Sequence, residues 1–252
     1  MRLATRSAVL FAVVAVLALP LGIARAQLTS ESIQGRFPDQ IGGVDLVAGK
    51  DQGKSATNVL TTIYDNTSAS PLYGVSSTDL ASVWGDELLT TGTGLLSTHK
   101  FTLFNAGSSA GVLLTATVNV QFFNAITSAF LGGYNTNINF GAGLPVGFFS
   151  IVTVTALDPL LIILNTTDVI ALQTVTAKTG AANRLGIASM GPAVVGSSPT
   201  SMYVSSATIG GGVPGFYGFT AGPADPGHFL GVNPPPVGAT SKTWGTLKKL
   251  YR

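Results

Sequence analysis

The sequence predicts an all-β protein, an antiparallel β-sandwich of jelly-roll-like form with about nine to eleven strands in a single domain. Short segments rich in β-branched residues alternate between apolar and polar side chains, which is the period of a strand with one buried face. Clusters of Gly, Pro, Asn and Asp separate these segments. After residue 26 we find no segment with the apolar spacing of an amphipathic helix.

The N-terminus predicts export. Residues 1–26 have a cationic start, an apolar run and a small-x-small triplet at residues 24–26, which places signal-peptide cleavage before Gln27. The alternative is a retained membrane anchor, but Pro20 and Gly22 interrupt a run that is already short for a spanning helix. We therefore expect a secreted, periplasmic or cell-surface protein with no stable membrane span after cleavage.

Composition narrows the classes of partner. Without the signal peptide the chain keeps 10 Lys and Arg residues against 11 Asp and Glu residues, so we expect no nucleic-acid partner. The absence of cysteine excludes disulfides, zinc–thiolate sites and a thiol nucleophile. Charged residues make up only 10% of the chain, so Gly, Ser, Thr and Asn must supply the polar surface.

In the first half of the chain, residues 27–57 predict an irregular lead-in with at most one short strand, and the sandwich domain covers residues 58–252. The clearest strand is residues 112–123, in which every second residue is apolar and the residues between are mainly Thr, Asn and Gln. Residues 125–146 are rich in glycine and predict a long loop or a short helix. The strands predicted in this half are residues 58–65, 87–91, 99–105 and 112–123.

In the second half, residues 160–164 form a continuous apolar run that predicts a strand covered on both faces. Residues 210–227 are dominated by turn-forming residues, and residues 215–219 read as a loop that could present aromatic rings. The strands predicted in this half are residues 148–157, 160–164, 168–177, 185–190, 202–208, 229–232 and 244–251.

A small outer-membrane β-barrel is an alternative, because its strands alternate in the same way. Three observations favour the sandwich. The strand segments are uneven in length, the run at residues 160–164 does not alternate, and aromatic residues are too sparse for two interfacial girdles.

The sequence offers few groups for catalysis. His99 and His228 have no metal-ligand spacing, and we expect both to be surface or strand-end histidines. No nucleophile-elbow motif is present, so we assign no catalytic residue and no metal ligand. The alternative is a polysaccharide hydrolase in which Asp65, Asp86 and Glu87 converge in space to supply a pair of carboxylates.

Three polar residues bear on a cofactor. Asp158, Asn165 and Asp168 surround two turns, and calcium binds six to eight oxygen ligands of this kind. The same side chains cap turns by accepting hydrogen bonds from the backbone. Because no calcium-loop spacing is present, we expect turn capping and no cofactor, with calcium as the alternative.

If the protein binds a ligand at its surface, the side chains best suited to the contact are the acidic residues at turns and the Tyr and Trp rings. Aromatic rings stack on sugars when exposed and fill a sandwich core when buried, which is their commoner fate. A surface glycan or another component of the cell envelope is the partner that such a surface would suit. The candidate binding residues are Tyr64, Asp65, Trp84, Asp86, Glu87 and Tyr217.

Two segments carry a resemblance to a known group. Residues 63–67 read Ile-Tyr-Asp-Asn-Thr, and residues 84–88 read Trp-Gly-Asp-Glu-Leu. Over residues 58–125 the chain resembles exported bacterial β-sandwich proteins that often carry sorting tails of the PEP-CTERM type. The resemblance implies a β-sandwich fold and export, and it implies no activity. Residues 247–252 lack the Pro-Glu-Pro motif and the apolar anchor of such a tail.

These observations together predict an exported, non-catalytic β-sandwich module with a structural or glycan-binding role. The hydrolase and the outer-membrane barrel are the alternatives.

Overall fold

The computed structural model describes residues 26–28, 41–46, 60–107, 111–219 and 222–233, and of the first two ranges it describes the backbone alone. The predicted signal peptide, apart from Ala26, and the predicted strand at residues 244–251 lie outside the described residues. The protein is an all-β sandwich, as predicted, with more strands than expected. No helix among the described residues has the length and apolar character needed to cross a membrane.

The strands are short in the first part of the chain and long in its centre. Two single-turn 3-10 helices, Asp158–Leu160 and Gly210–Gly212, join strands. The strands are β1 Ala26–Leu28, β2 Ile41–Leu46, β3 Thr61–Asp65, β4 Pro71–Ser77, β5 Val83–Leu89, β6 Gly94–Asn105, β7 Leu113–Asn124, β8 Phe130–Leu144, β9 Phe148–Val154, β10 Ile163–Leu164, β11 Asp168–Gly180, β12 Leu185–Met190, β13 Met202–Ser205, β14 Gly215–Phe219, β15 Asp225–Pro226 and β16 His228–Asn233.

Two sheets form the sandwich. The seven-stranded sheet has the order β1-β14-β13-β5-β11-β7-β8. The nine-stranded sheet contains the path β15-β12-β6-β16-β3, with β4 paired to β12, β9 and β10 paired to β6, and β2 paired to β9. Neighbouring strands are antiparallel except for β1 with β14 and β2 with β9. The lead-in thus contributes two short strands where at most one was expected.

The main core lies between the two sheets, because each sheet turns one apolar face inward. Phe101 and Leu103 of β6 and Val120 and Phe122 of β7 are almost fully buried in one continuous cluster. Large side chains from both sheets therefore exclude water from the interior.

Strand β7 confirms the predicted alternation except at its first residues, where the inward and outward positions are exchanged. Ala116, Val118 and Phe122 point inward as predicted, but Leu114 is 39% exposed and Leu113 is buried instead. The pairing with both neighbouring strands shifts register near this end of β7. An irregularity of this kind moves the side chains beyond it to the opposite face.

Strand β8 overturns the prediction of a loop or short helix at residues 125–146. It pairs with β7 over most of its length, and Asn135, Asn137 and Asn139 alternate with buried or partly buried residues. Asn and Gly are depleted in strands, so propensity hid an alternation that tertiary pairing satisfies. Gly132 and Gly143 have positive φ angles, which lets the strand bend near its ends.

The apolar run at residues 160–164 is not the covered strand that was predicted. Only Ile163 and Leu164 are extended, Leu160 ends a 3-10 turn, and Leu161 has a φ of 52°. Leu161 and Ile163 are 69% and 52% exposed. Pro159 favours the turn at this point and interrupts strand geometry.

Residues 215–219, predicted as a loop, form β14, which lies between the edge strand β1 and β13 in the seven-stranded sheet. A further segment, residues 193–198, connects the two sheets and is called the bridging segment below. Val195 exchanges backbone hydrogen bonds with Asp65 of β3, and Ser197 does so with Leu89 of β5. The bridging segment therefore ties an edge of one sheet to a strand of the other.

Candidate functional site

Four of the six predicted binding residues lie in the interior. Tyr64 and Asp86 have no exposed surface, and Trp84 and Tyr217 are 4% and 5% exposed. Glu87 is partly exposed on the outside of the seven-stranded sheet, and Asp65 is partly exposed at the end of β3. The structure thus separates these six residues into an inner and an outer set.

The alternation of β5 explains this separation. Trp84, Asp86 and Leu88 are buried, whereas Glu87 between them points outward. Asp86 and Glu87 therefore lie on opposite faces of the sheet and do not form the pair of carboxylates that a hydrolase requires. The signal for this arrangement was present in the sequence, because Asp86 is two residues from a large apolar side chain on either side.

Asp65 is engaged locally. Its carboxylate accepts hydrogen bonds from the backbone N–H and the hydroxyl of Thr67, each at 2.8 Å, and from the hydroxyl of Ser68 at 2.6 Å. These are the bonds of a turn cap, as expected for an aspartate that ends a strand. Asp158 instead accepts a bond of 2.8 Å from the Ser97 hydroxyl and another from Asn233.

Tyr64 and Asp86 belong to a buried polar group that the sequence did not predict, here called the acid cluster. Its members are Tyr64 of β3, Asp86 of β5, Ser198 of the bridging segment and Asp225 of β15. One oxygen of Asp86 accepts the backbone N–H of Glu87 at 2.8 Å. The Tyr64 hydroxyl, Asp86 Oδ2, the Ser198 hydroxyl and Asp225 Oδ1 are buried and have no protein partner at normal hydrogen-bond geometry.

The four groups are nevertheless close neighbours. Burial, together with the negative charge of Asp225, raises the pKa of Asp86 well above its usual range. Burial also raises the pKa of Asp225, to about 6. The Ser198 hydroxyl acts in the opposite direction on the pKa of both carboxyls, so it faces them without completing a regular hydrogen bond. Burial and the charges of Asp86 and Asp225 raise the pKa of Tyr64.

A second buried polar group, here called the imidazole cluster, contains His99 of β6, Tyr134 of β8 and His228 of β16. His99 Nδ1 lies 2.6 Å from the Tyr134 hydroxyl oxygen, and His99 Nε2 lies 3.1 Å from His228 Nδ1. The two imidazole rings are nearly parallel, at 11°. The prediction of a surface position is wrong for both histidines, because they are 0% and 1% exposed. His228 does begin β16, as a strand-end residue, whereas His99 lies in the middle of β6.

Burial favours the neutral form of both histidines. Burial and the neighbouring His228 hold the pKa of His99 well below its usual range, and burial lowers the pKa of His228 to about 3. If the Tyr134 hydroxyl donates to His99, then His99 Nε2–H donates to His228, and His228 Nε2–H is left over. His228 Nε2 is the one atom of this cluster without a partner. No sequence pattern indicates this contact, because the two histidines are 129 residues apart.

The outside of the seven-stranded sheet forms a third feature, here called the outer face. At one side Tyr203 of β13 and Phe216 of β14 are paired, with ring centroids 5.6 Å apart and an edge-to-face angle of 73°. Both rings are partly exposed. Gly85 of β5 lies beside Tyr203 in register, and a Cβ there would meet Leu172 at 2.3 Å. The missing side chain at Gly85 therefore makes room for Leu172 beside the two rings.

The other side of the outer face is a ladder of amides and hydroxyls on β7 and β8. Asn119 donates a hydrogen bond of 3.0 Å to Asn135, and the hydroxyl of Thr117 donates one of 2.8 Å to Asn137. The register row that begins at Tyr203 crosses β5 and β11 and reaches Gln121 of β7, two residues from Asn119 of the ladder. At about 4.8 Å between neighbouring strands, rings and amides lie within about 25 Å on one continuous surface.

Comparisons with known proteins identify no relative. The chain matches no protein-family model, and no curated protein or solved structure is significantly similar to it. Among the described residues, no three His, Cys, Asp or Glu side chains lie together as a potential metal site. The acid cluster, the imidazole cluster and the outer face are the features of the described residues that bear on function.

Proposed function

We propose that this protein is an exported, non-catalytic module that binds a neutral polysaccharide of the cell envelope or its surroundings on the outer face. The observation that carries the proposal is the combination of the Tyr203–Phe216 pair with the amide and hydroxyl ladder on a single sheet surface. Export rests on the N-terminal sequence, and the resemblance to exported β-sandwich proteins supports it.

The chemistry of the outer face suits sugars better than other ligands. A sugar presents apolar C–H faces and hydroxyls that both donate and accept hydrogen bonds. Aromatic rings such as Tyr203 and Phe216 offer rigid contact area to the apolar C–H faces of a sugar. Asn and Thr side chains combine donors with acceptors for its hydroxyls. The chain is poor in charged residues, so it favours a neutral ligand over an anionic one.

A glycan array and a pull-down on insoluble cell-wall polysaccharide would test the proposal. We expect the protein to be retained by at least one neutral polysaccharide. Tyr203→Ala and Phe216→Ala should each weaken binding about tenfold, because each removes a ring from the contact area, and a tenfold change equals about 1.4 kcal/mol.

The matched control is Phe229→Ala, which removes a partly exposed aromatic ring on the nine-stranded sheet. Lys100 lies 4.9 Å above that ring, so the site differs in charge but not in the size of the side chain removed. Binding should be unchanged in this variant. Silence on every neutral glycan, or equal losses in Phe229→Ala and Tyr203→Ala, would reject the outer face as the binding surface.

A further inference from the structure

The acid cluster contains more buried polar oxygens than the protein supplies hydrogen-bond partners for. Buried polar atoms in native proteins almost always have a partner, and a buried atom without one points to an unseen water, ion or proton. Here four such oxygens come from four separate segments of the chain and face one another. One such atom would be a local defect, whereas four neighbouring oxygens without regular partners form a set of donors that a cation could use.

The charges near this point have one sign. The charged groups that act on Asp86 are Asp225 and Glu87, both acids, and those that act on Tyr64 are all aspartates. Leaving buried carboxylates ionised without a positive partner is very costly. Tyr64 adds a further observation, since its hydroxyl is fully buried, completes no regular hydrogen bond, and faces Ser198 and the same two aspartates.

We propose that the acid cluster binds one divalent cation of the calcium class, with Asp86 and Asp225 as charged ligands and the Ser198 hydroxyl as a neutral ligand. Two carboxylates balance the charge of a divalent ion, and an all-oxygen donor set is the one that hard cations prefer. The Tyr64 hydroxyl, a weak ligand, would donate a hydrogen bond to a carboxylate oxygen.

The position of the cluster gives the cation a structural role. Asp86 belongs to the seven-stranded sheet, Asp225 to the nine-stranded sheet, and Ser198 to the bridging segment. A cation held by all three would fasten the two sheets and the bridging segment together. The proposal does not depend on polysaccharide binding, because Asp86 faces the interior and the outer face lies on the opposite side of β5.

Thermal unfolding of the full chain as it is exported would test the proposal, with one sample in excess chelator and one in CaCl2. At a free calcium concentration about a hundredfold above Kd, we expect Tm to rise by about 5–10 °C. Isothermal titration calorimetry should give one calcium ion per chain. No change in Tm, or no heat of binding, would overturn the proposal in favour of a proton or a water shared within the cluster.

Variants then locate the ion. Asp225→Asn and Asp86→Asn should each abolish the calcium-dependent rise in Tm, and Ser198→Ala should reduce it. Asp158→Asn is the matched control, because Asp158 is a partly buried aspartate bonded to Ser97 and Asn233 outside the acid cluster. It should keep the full rise. Loss of the rise in Asp158→Asn with retention in Asp225→Asn would overturn the assignment. If Asp225→Asn and Asp86→Asn fail to fold, calorimetry on Asp158→Asn replaces them. Retention of one calcium ion by Asp158→Asn supports a site in the acid cluster, and loss of the ion refutes it.

Discussion

The imidazole cluster and the acid cluster are both buried between the sheets, yet they satisfy their polar atoms to different degrees. In the imidazole cluster, two short contacts join His99, Tyr134 and His228 and leave one atom without a partner. In the acid cluster, four oxygens have none. A buried polar group can therefore have all its hydrogen-bond partners within the protein, or it can require a partner from outside it. The imidazole cluster is close to the first case and the acid cluster belongs to the second.

The largest expected effect comes from breaking the imidazole cluster at its centre. His99→Ala leaves a cavity among Phe101, Phe122 and Tyr134 and removes the partner of two other buried polar groups. We expect a loss of about 3–5 kcal/mol in the free energy of unfolding, measured by urea denaturation. A loss below about 1 kcal/mol would mean that the cluster does not stabilise the core.

The next effect is on pH dependence, in which the clusters oppose each other. A histidine whose folded pKa is lowered contributes stability above its unfolded pKa of 6.5 and loses it as the pH falls toward the folded value, about 3 for His228. An aspartate whose folded pKa is raised contributes stability below 3.8 and loses it as the pH rises, through about 6 for Asp225. In chelator, the wild-type protein should therefore show a shallow dependence between pH 4.5 and 6.5.

Removing the titrating groups of one cluster should reveal the pH dependence of stability that the other cluster causes. The double variant Asp86→Asn, Asp225→Asn should lose stability on acidification more steeply than the wild type, with a total slope of up to about 1.4 kcal/mol per pH unit for each histidine. The double variant His99→Gln, His228→Gln should instead gain stability as the pH falls from 7 to 5. Urea unfolding at a series of pH values measures both slopes, and identical slopes in all three proteins would contradict the opposition.

A smaller effect compares two buried tyrosines. Tyr134→Phe removes a hydroxyl that lies 2.6 Å from His99, and we expect it to cost about 1–3 kcal/mol because the histidine loses its partner. Tyr64→Phe removes a hydroxyl that has no partner, so in chelator it should change stability by less than about 1 kcal/mol. Chemical denaturation of the two variants side by side provides the measurement. Equal costs would show that the Tyr64 hydroxyl has a partner after all.

The smallest effect is expected on the outer face, which is solvated and lies on the opposite side of its sheet from both clusters. Asn135→Ala removes an exposed hydrogen bond from the amide ladder and should change the free energy of unfolding by no more than about 0.5 kcal/mol. The same denaturation experiment detects a larger change, which would indicate that the ladder stabilises the sheet as well as presenting polar groups.

The fold was predictable where apolar and polar residues alternate over a long segment, as in β7. It was not predictable where an alternation is made of unusual residues, because the asparagines and glycines of β8 resemble a loop when they are considered singly. The apolar run at residues 160–164 misled in the other direction, since Pro159 and the left-handed Leu161 turn apolar side chains toward solvent.

The sites were harder to predict than the fold, because each depends on strands that are distant in sequence. Asp86 was among the predicted binding residues, but its inward direction follows only when the phase of β5 is known. His99 and His228 are unremarkable as single residues and meet only after β6 pairs with β16. Tyr203 and Phe216 become a surface only through the register of β13 with β14.

The bridging segment has a consequence for how the molecule opens. The backbone amides of Asp65 and Leu89 belong to different sheets, yet both donate to carbonyls of the bridging segment. Neither amide can reach solvent through separation of the sheets unless the segment detaches as well. In native-state hydrogen exchange the two amides should therefore report the same opening free energy, so that the sandwich behaves as one cooperative unit rather than as two layers that fray independently.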